Sequence, residues 1–390
     1  MTNVPFWEES KVTSIAFTGD VGFSKYFKDA FKRDNLMTDE VVDFLADTDY
    51  TVINVEGAVT KATATATKPL IHANDPGAID WLLKLNGNVW NLANNHTMDC
   101  GEAGALDTLA YARANNCQTV GLGENATQAE KPLQLYKEGM GIGLVSVTYS
   151  IADKASEDHA GCILWNDSER IKKNIKEVKQ KNRWCVVIVH GGVEFAQMPL
   201  PYIRKQYKKY LEYGADIVVG HHPHVVQNYE KFGDKIIFYS LGNFVFDTDY
   251  QRRQRYTDQG MLIKLHFTGK DFSWEQLPIK INRTTQTIEA GECPAIFCNI
   301  NKLDYALLWP YAARDFRRNR RKVYVYHVPE RANWTEKQWR KFEVGKCTKK
   351  AETELEKSQQ KQIIAALTGS FLSRLNFWRL SKKSLIEYLK

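Results

Sequence analysis

The sequence predicts an α/β fold in which helices cover the faces of β-sheets. Apolar runs of strand length alternate with amphipathic segments from residue 12 to residue 269, and this alternation is typical of sheets built with intervening helices. The apolar share of 43% and the charged share of 25% are those of an ordinary globular protein. With 390 residues the chain is long enough for one large domain and an appendage. We predict a domain over residues 1–300 and an extension over residues 301–390.

Strands and helices alternate in the N-terminal half. Apolar residues recur at helical spacing in DEVVDFLADT, and Pro76 stands in the first turn of the helix-like segment PGAIDWLLKLN. Short apolar runs separate these segments. In chain order we predict strand 12–19, helix 39–48, strand 50–57, helix 76–86, strand 88–95, helix 101–116 and strand 141–150.

The following part begins with a basic helix and then becomes rich in strands. WCVVIVHGG is an apolar run that ends in glycines, and ADIVVGHHPH runs from a strand into a loop. In chain order we predict helix 168–182, strand 184–192, helix 203–214, strand 215–224, and strands within 234–247 and 260–269.

The net charge of +7 conceals two parts of opposite sign. Residues 301–390 hold 21 Lys and Arg against 9 Asp and Glu, whereas the first 300 residues hold 32 against 37. RDFRRNRRK, residues 314–322, opens this basic and largely helical extension. Its charges can be solvated, dock on the acidic N-terminal domain, or meet an anionic membrane surface. Nucleic acid is the least favoured partner. The apolar face available for a membrane comprises Phe371, Leu372, Leu375, Phe377 and Trp378.

Cysteine usage indicates a reducing compartment, and hydropathy indicates neither a signal peptide nor a membrane span. The seven cysteines are scattered and form no CxxC pair, which excludes zinc ribbons and thioredoxin-like motifs. The first residues lack a basic segment followed by an apolar one, and no stretch approaches the roughly 18 apolar residues of a membrane span. We therefore expect a cytoplasmic protein, with peripheral membrane contact through the basic C terminus as an open alternative.

Residues of the kind that bind metals follow the ends of five predicted strands. In α/β sheets, ligand sites form where the carboxyl ends of separate strands converge. We therefore expect these side chains to meet in one pocket. The five endings are Gly19-Asp20, Asn54-Val55-Glu56, Asn94-Asn95-His96, His190-Gly191-Gly192 and Gly220-His221-His222-Pro223-His224.

The residue types at these strand ends suit a pair of divalent cations. Imidazole binds Zn, Fe, Ni and Mn, and carboxylate or amide oxygens complete the coordination shell. A bridged metal pair lowers the pKa of bound water and holds the oxygens of a phosphate under attack. An imidazole outside the metal shell can then protonate the leaving oxygen. The pattern predicts hydrolysis of a phosphoester-type bond.

Seven motifs lie between about residue 12 and about residue 268: FTGDVGF, INVEGAVT, NLANNHTMDCG, GLGEN, VHGG, GADIVVGHHPHVVQ and YSLGNFVFD. Together they resemble the CapA family, the capsule-synthesis and poly-γ-glutamate-associated proteins related to calcineurin-like metallophosphoesterases. The resemblance implies a metallophosphoesterase-like four-layer αββα sandwich with two mixed sheets.

The resemblance also implies roles for individual residues. His96 resembles the catalytic acid that faces the leaving group, and His221 is placed so that it could exchange roles with His222. The implied metal ligands are Asp20, Glu56, Asn95, His190, His222 and His224. We expect substrate contacts from Asn54, Asn94, His221 and Asn243. His72, His159, His266 and His327 lack this context, and we interpret them as ordinary surface or packed histidines.

Two departures from the superfamily pattern weaken the first metal site. Gly22 stands where a histidine usually follows the first aspartate, and Glu56 stands where an aspartate usually bridges the ions. Two hypotheses therefore remain open. One is a hydrolase that uses divalent ions, expected to be two of Mn, Zn or Fe. The other is a non-catalytic metal-binding scaffold component of a surface-polymer synthesis complex.

The resemblance implies a role in making capsule, exopolysaccharide or poly-γ-glutamate. The substrate we expect is a small molecule or polymer that carries phosphate or carboxylate groups. Surface-polymer synthesis proteins are the expected protein partners.

Overall fold

Two β-sheets packed face to face form the centre of the fold. The structure is a computed structural model, and it describes residues 11–66, 70–137 and 139–347. In chain order the strands are β1 (Thr13–Val21), β2 (Tyr50–Val55), β3 (Ala58–Val59), β4 (Ala73–Asn74), β5 (Val89–Asn91), β6 (Gln118–Val120), β7 (Leu122–Gly123), β8 (Leu133–Lys137), β9 (Met140–Thr148), β10 (Gly161–Cys162), β11 (Trp184–His190), β12 (Ile217–His221), β13 (Tyr229–Phe232), β14 (Lys235–Phe238), β15 (Asn243–Val245), β16 (Gln259–Phe267), β17 (Phe272–Asn282) and β18 (Thr287–Ala290). The helices are α1 (Asp39–Ala46), α2 (Ala78–Lys84), α3 (Gly101–Ala114), α4 (Ala126–Ala129), α5 (Ser168–Lys181), α6 (Pro201–Tyr213), α7 (Asp249–Arg252), α8 (Lys302–His327) and α9 (Glu336–Cys347).

Both principal sheets are mixed. The first has the order β18-β17-β16-β1-β2-β5-β6, with β15 paired to the carboxyl end of β1. Its strands β1, β2, β5 and β6 are parallel neighbours, and β16 to β18 are antiparallel. The second sheet has the order β13-β14-β12-β11-β9-β8, in which β9, β11, β12 and β14 run parallel.

The layer order follows from the side chains that alternate along the central strands, because successive residues of a strand point to opposite faces. On β1, Ile15 and Phe17 join the core between the two sheets, whereas Ala16 joins the core beneath α1, α2 and α3. On β9, Leu144 lies between the sheets and Val145 packs towards α5 and α6. The layers are therefore helix, sheet, sheet and helix, which confirms the predicted αββα arrangement.

Helix α8 packs on the helical layer of the second sheet. Phe316 belongs to the same apolar core as α5 and α6, and the hydroxyl of Tyr305 donates a hydrogen bond to the carbonyl oxygen of Pro199. Helix α9 lies beside α8, where the ring of Trp339 stacks 6.0 Å from that of Tyr324. The described part of the C-terminal extension is helical, as predicted, whereas its status as a separate domain beginning at residue 301 stays a prediction.

The predicted alternation of strands and helices is confirmed, with element ends shifted by a few residues. The strand β17 was not predicted, because most of its residues are exposed or half-buried and its apolar pattern is weak. Within the described ranges, no helix combines the length and the apolar character that a membrane span requires. The proposed membrane face from Phe371 to Trp378 lies outside the described residues, as do residues 1–10.

Candidate metal centre

The carboxyl ends of the parallel strands bring the predicted ligands together. Asp20 of β1 pairs in register with Asn54 of β2 and with Asn243 of β15. In the second sheet, His190 ends β11 and pairs in register with His221, which ends β12. Parallel strands end at the same edge of a sheet, so these side chains converge on one site.

Asp20, Glu56 and His190 form a buried triad. Each can offer one ligand atom, and these atoms all lie within 4.8 Å of one another. The three residues are 0% exposed. Carboxylate oxygens and imidazole nitrogens are ligands that divalent first-row metals accept. The triad therefore has the composition and the proximity of a metal site.

Two further predicted ligands border the triad. His224 Nδ1 lies 3.1 Å from Asp20 Oδ2, and His224 Nε2 lies 3.6 Å from Glu56 Oε1. Asn95 Oδ1 lies 2.7 Å from His190 Nε2. Both side chains therefore present donor atoms to the same space as the triad.

The loop after β12 holds two histidines in an uncommon backbone conformation. His222 has a φ of 95° and His224 a φ of 55°, a region that residues other than glycine seldom adopt. The ring of His222 lies 5.2 Å from the ring of His190 and 4.4 Å from that of Tyr149. Strained conformations of this kind persist where the surroundings hold them, and they concentrate at functional sites.

Buried atoms without hydrogen-bond partners show that the cluster fits a cation. Among the residues that the structure describes, neither carboxylate oxygen of Glu56 has a hydrogen-bond partner, and neither does His222 Nδ1. Burying such groups without compensation is costly, and a divalent ion would compensate them by accepting their lone pairs. The residues present therefore fit a divalent metal, whose identity and number stay predictions.

The pKa values of the two carboxylates shift in opposite directions. Burial alone would raise the pKa of Asp20, but contacts with His221 and His224 bring it well below its ordinary value. Burial raises the pKa of Glu56 well above its ordinary value; the charge of His224 opposes this shift and that of Asp20 adds to it. Asp20 therefore carries a charge at neutral pH, whereas burial makes the charged form of Glu56 costly unless a positive group lies beside it.

The pKa values of the histidines also shift in opposite directions. Burial lowers the pKa of His190 well below its ordinary value and that of His222 to about 4, so both rings are neutral at pH 7. Burial also disfavours the charged form of His224, but Glu56 and Asp20 outweigh it and raise the pKa of His224 to about 10. The positive charge of protonated His224 thus offsets the charges of Asp20 and Glu56, as a bound cation would.

His96 lies at the edge of this cluster with its orientation held by Asp99. His96 Nδ1 is 2.7 Å from Asp99 Oδ2, and His96 Nε2 is 3.7 Å from Glu56 Oε1. Its ring also packs edge to face against His72, at 4.2 Å between centroids. The Nδ1 contact fixes which nitrogen faces the cluster. The role of His96 as the catalytic acid stays a prediction.

Two of the predicted substrate contacts, Asn54 and His221, lie against Asp20. Asn54 Nδ2 donates a 2.7 Å hydrogen bond to Asp20 Oδ1, and Asn91 Nδ2 donates a 2.6 Å bond to Asn54 Oδ1. His221 Nδ1 lies 3.4 Å from Asp20 Oδ1. These contacts orient the carboxylate, and substrate binding by Asn54 and His221 stays a prediction.

The other two predicted substrate contacts have similar structural partners. Asn94 donates hydrogen bonds to main-chain oxygens and accepts a 3.0 Å bond from the backbone N–H of His96. Asn243 Oδ1 lies 2.9 Å from His224 Nδ1, and Asn243 Nδ2 donates to the carbonyl oxygen of Thr257 at 2.8 Å. Each amide thus positions a histidine of the cluster, and contact with substrate stays a prediction.

Sequence reasoning missed three residues of the site. Asn91 extends the hydrogen-bond chain to Asp20, and His72 packs on His96 although it lies apart from the strand-end motifs. Glu194 lines the cavity that His222 also lines, and it accepts a 2.8 Å hydrogen bond from the hydroxyl of Tyr250. Asn91 ends β5, so the strand-end rule could have found it. No local signal marks His72.

The surroundings of Gly22 leave little room for a side chain. A Cβ atom at this position would lie 2.8 Å from Cε2 of Phe246, closer than real Cβ contacts occur. The Phe246 ring stacks 4.8 Å from the ring of His224 and lies 4.9 Å from that of His72. Aromatic packing therefore occupies the space into which a side chain at position 22 would extend.

The known proteins that this chain resembles in sequence are capsule and PGA synthesis proteins. A profile of the family described as bacterial capsule synthesis protein PGA_cap matches residues 14–248. The PGA biosynthesis protein CapA of Bacillus subtilis is 31% identical over 287 residues, which cover 70% of this chain and 73% of that protein. The capsule biosynthesis protein CapA of Bacillus anthracis is 29% identical over 269 residues, which cover 66% of this chain and 64% of that protein.

A solved structure, the 5'-nucleotidase of Candida albicans, aligns over 72% of this chain and 53% of its own, with 11% identity and a TM-score of 0.40. The profile match spans more than half of the chain and contains the strand ends that build the candidate metal centre. The CapA proteins of the two Bacillus species are relatives of this chain. The chain therefore belongs to the bacterial capsule synthesis protein family, PGA_cap.

Proposed function

We propose that this protein is a metal-dependent hydrolase of a phosphoester-like bond that acts in the synthesis of capsule, exopolysaccharide or poly-γ-glutamate. One observation carries the proposal. Two buried carboxylates and several imidazoles converge within a few Å, and both oxygens of Glu56 have no hydrogen-bond partner among the described residues. Such an arrangement costs free energy unless a cation compensates it.

The residues divide the work of binding and proton transfer. Asp20, Glu56, Asn95, His190, His222 and His224 would hold the ions. When bound, divalent ions supply a positive field that acidifies water and stabilises the charge on a phosphoryl group. His96 directs Nε2 towards the cluster and would donate a proton to the leaving oxygen, while Asp99 stabilises the imidazolium form. Asn54 and Asn91 keep the carboxylate of Asp20 in place.

The biological role rests on the family. The relatives in Bacillus subtilis and Bacillus anthracis are named for PGA and capsule biosynthesis, and we extend that role to this chain. The substrate is accordingly a phosphate- or carboxylate-bearing molecule or polymer of that process. Surface-polymer synthesis proteins are its proposed partners. The proposed location is cytoplasmic, with peripheral membrane contact through the basic C terminus.

Metal analysis combined with a hydrolysis assay tests the proposal. The purified protein is stripped with a chelator, reloaded with Mn or Zn, and assayed with bis-p-nitrophenyl phosphate. We expect bound metal near two ions per chain and metal-dependent hydrolysis. His190→Ala should lose both, whereas His159→Ala, an exposed histidine outside the cluster, should keep both.

The same experiment separates the enzyme from the scaffold. Stoichiometric metal that is lost in His190→Ala, together with no turnover of phosphomonoesters or phosphodiesters, would support the scaffold and reject the hydrolase. The absence of metal binding in the wild type would reject both.

A further inference from the structure

A cavity of about 440 Å³ opens beside the candidate metal centre. His222 lines it from the loop after β12, Glu194 from the loop after β11, and Arg320 from α8. Its volume is that of a small-molecule site. The remaining walls are largely aromatic, formed by Tyr149, Trp165, Phe195, Tyr202, Tyr250, Phe316 and Tyr324. A cation from α8 thus shares one cavity with a predicted metal ligand.

Arg320 is half-buried and its surroundings are aromatic. Its Nε donates a 2.7 Å hydrogen bond to the hydroxyl of Tyr324, and its guanidinium lies 5.7 Å from the ring centre of Phe316. Within the described part of the chain, no carboxylate forms an ion pair with it. Glu194, the acidic residue of the cavity, is instead bonded to the hydroxyl of Tyr250.

Three residues of α8 that line the cavity lie on one face of the helix. Phe316, Arg320 and Tyr324 are spaced by four residues and therefore share one face of the helix. Arg318 belongs to a different face and lines neighbouring cavities that do not include His222. The helix also lies beyond residues 14–248, the segment that the family profile matches. The cation in the cavity therefore comes from outside the matched segment.

We propose that Arg320 is a specificity-determining residue, which binds an anionic substituent of a substrate whose phosphoryl group lies at the metal centre. This inference rests on the proposed function and adds the substrate class to it. A guanidinium in a partly buried, apolar wall forms strong charge-assisted hydrogen bonds with carboxylate or phosphate. The substrate class is thus a phosphoester that carries a second anionic group.

Two non-hydrolysable probes test the inference without depending on turnover. Phenylphosphonate and 4-carboxyphenylphosphonate differ only in the remote carboxylate, and calorimetry measures the binding of each to the Mn-loaded protein. For the wild type we expect the carboxylated probe to bind about 10-fold more tightly, since hydrogen bonds to charged groups are worth that much or more. Arg320→Met should reduce this preference to less than about 2-fold, and Arg320→Lys should keep part of it. Arg318→Met is the matched control and should behave as the wild type.

Activity supplies a second readout. With phenyl phosphate and 4-carboxyphenyl phosphate as substrates, Arg320→Met should raise KM for the carboxylated substrate by a larger factor than KM for phenyl phosphate, and Arg318→Met should leave both as in the wild type.

The outcomes separate the two proposals. Selective binding in the wild type that disappears in Arg320→Met supports the inference, even if neither phosphate ester is hydrolysed and the proposed function fails. Equal affinity of the wild type for both probes, no binding of either, or a preference that survives in Arg320→Met would overturn the inference. Loss of the preference in Arg318→Met would overturn it too, because general basic charge would then explain the selectivity.

Discussion

At the residue scale, the site contains buried carboxylate oxygens that the described side chains leave without hydrogen bonds. Glu56 is 0% exposed and its carboxylate oxygens lack hydrogen bonds among the described residues. The nearest positive group is His224, whose pKa rises to about 10 because Glu56 and Asp20 outweigh the effect of its burial. A metal ion and this proton therefore compete for the same carboxylates, and metal binding should strengthen as pH rises.

Replacing His96 with glutamine should lower kcat of the metal-loaded protein by about 100-fold to 10,000-fold, the usual contribution of general acid–base catalysis. The metal content should remain that of the wild type, because His96 Nε2 lies 3.7 Å from Glu56 and is not one of the proposed ligands. Steady-state kinetics and metal analysis of the variant provide the check. His72→Gln is the control for packing, since His72 contacts the same ring. Unchanged kcat in His96→Gln would exclude the acid role.

His222→Asn should make the metal-free protein less sensitive to acid. Burial lowers the pKa of His222 from 6.5 to about 4, so between these pH values the unfolded chain binds a proton that the folded chain does not. The stability contribution of the neutral ring is complete above pH 6.5 and falls as pH decreases towards 4. The variant lacks this contribution, so its free energy of unfolding should fall less steeply than that of the wild type between pH 6.5 and pH 4. The two slopes should differ by up to about 1.4 kcal/mol per pH unit.

Urea unfolding in the presence of a chelator, at several pH values from 7 to 4, measures that difference. His159→Asn, at an exposed histidine, should retain the wild-type slope. Identical slopes for His222→Asn and the wild type would contradict the burial effect.

At the element scale, the strand ends determine which residues meet. Asn91 of β5, Asn54 of β2 and Asp20 of β1 form a hydrogen-bond chain across three parallel strands. Register makes this chain possible, because residues at the carboxyl ends of neighbouring parallel strands lie side by side. The sequence indicated the strands and their polar endings, but not the pairing of β1 with β15 or the approach of α8 to the site.

Asn91→Leu should destabilise the protein by about 2 to 4 kcal/mol, because Asn54 Oδ1 loses its donor and the hydroxyl of Ser146 loses its acceptor in a buried setting. The variant should also bind metal more weakly, since Asn54 orients Asp20. Urea unfolding and metal titration measure the two effects. Gln118→Leu on the adjacent strand β6, at a half-buried position, is the matched control. A stable Asn91→Leu variant with normal metal affinity would show that the chain is dispensable.

At the scale of the whole molecule, the two sheets contribute different proposed ligands to one site. The first sheet positions Asp20 and Glu56, and the second positions His190 at the end of β11 and His222 and His224 in the loop after β12. An ion held by both groups would link the sheets and would bind the folded state in preference to the unfolded chain. Metal binding should consequently appear as global stability.

A chelator should lower the thermal unfolding temperature of the wild type. At a free metal concentration 100 times the dissociation constant, the expected stabilisation is about 2.7 kcal/mol. Glu56→Gln should show a much smaller difference between metal-loaded and chelated samples. The chelated variant should be at least as stable as the chelated wild type, because it no longer buries an ionisable carboxyl. Equal metal-induced shifts in both proteins would exclude Glu56 as a ligand.

The sequence by itself determined the α/β class, the order of most central strands and helices, and the polar residues at their carboxyl ends. These features are local, since apolar periodicity and turn residues act over a few positions. The tertiary structure alone decided that His72 packs on His96, that Phe246 fills the space beside Gly22, and that Arg320 lines the cavity of His222. Those contacts join segments far apart in the chain, and their distances follow from how sheets and helices pack rather than from any spacing in the sequence.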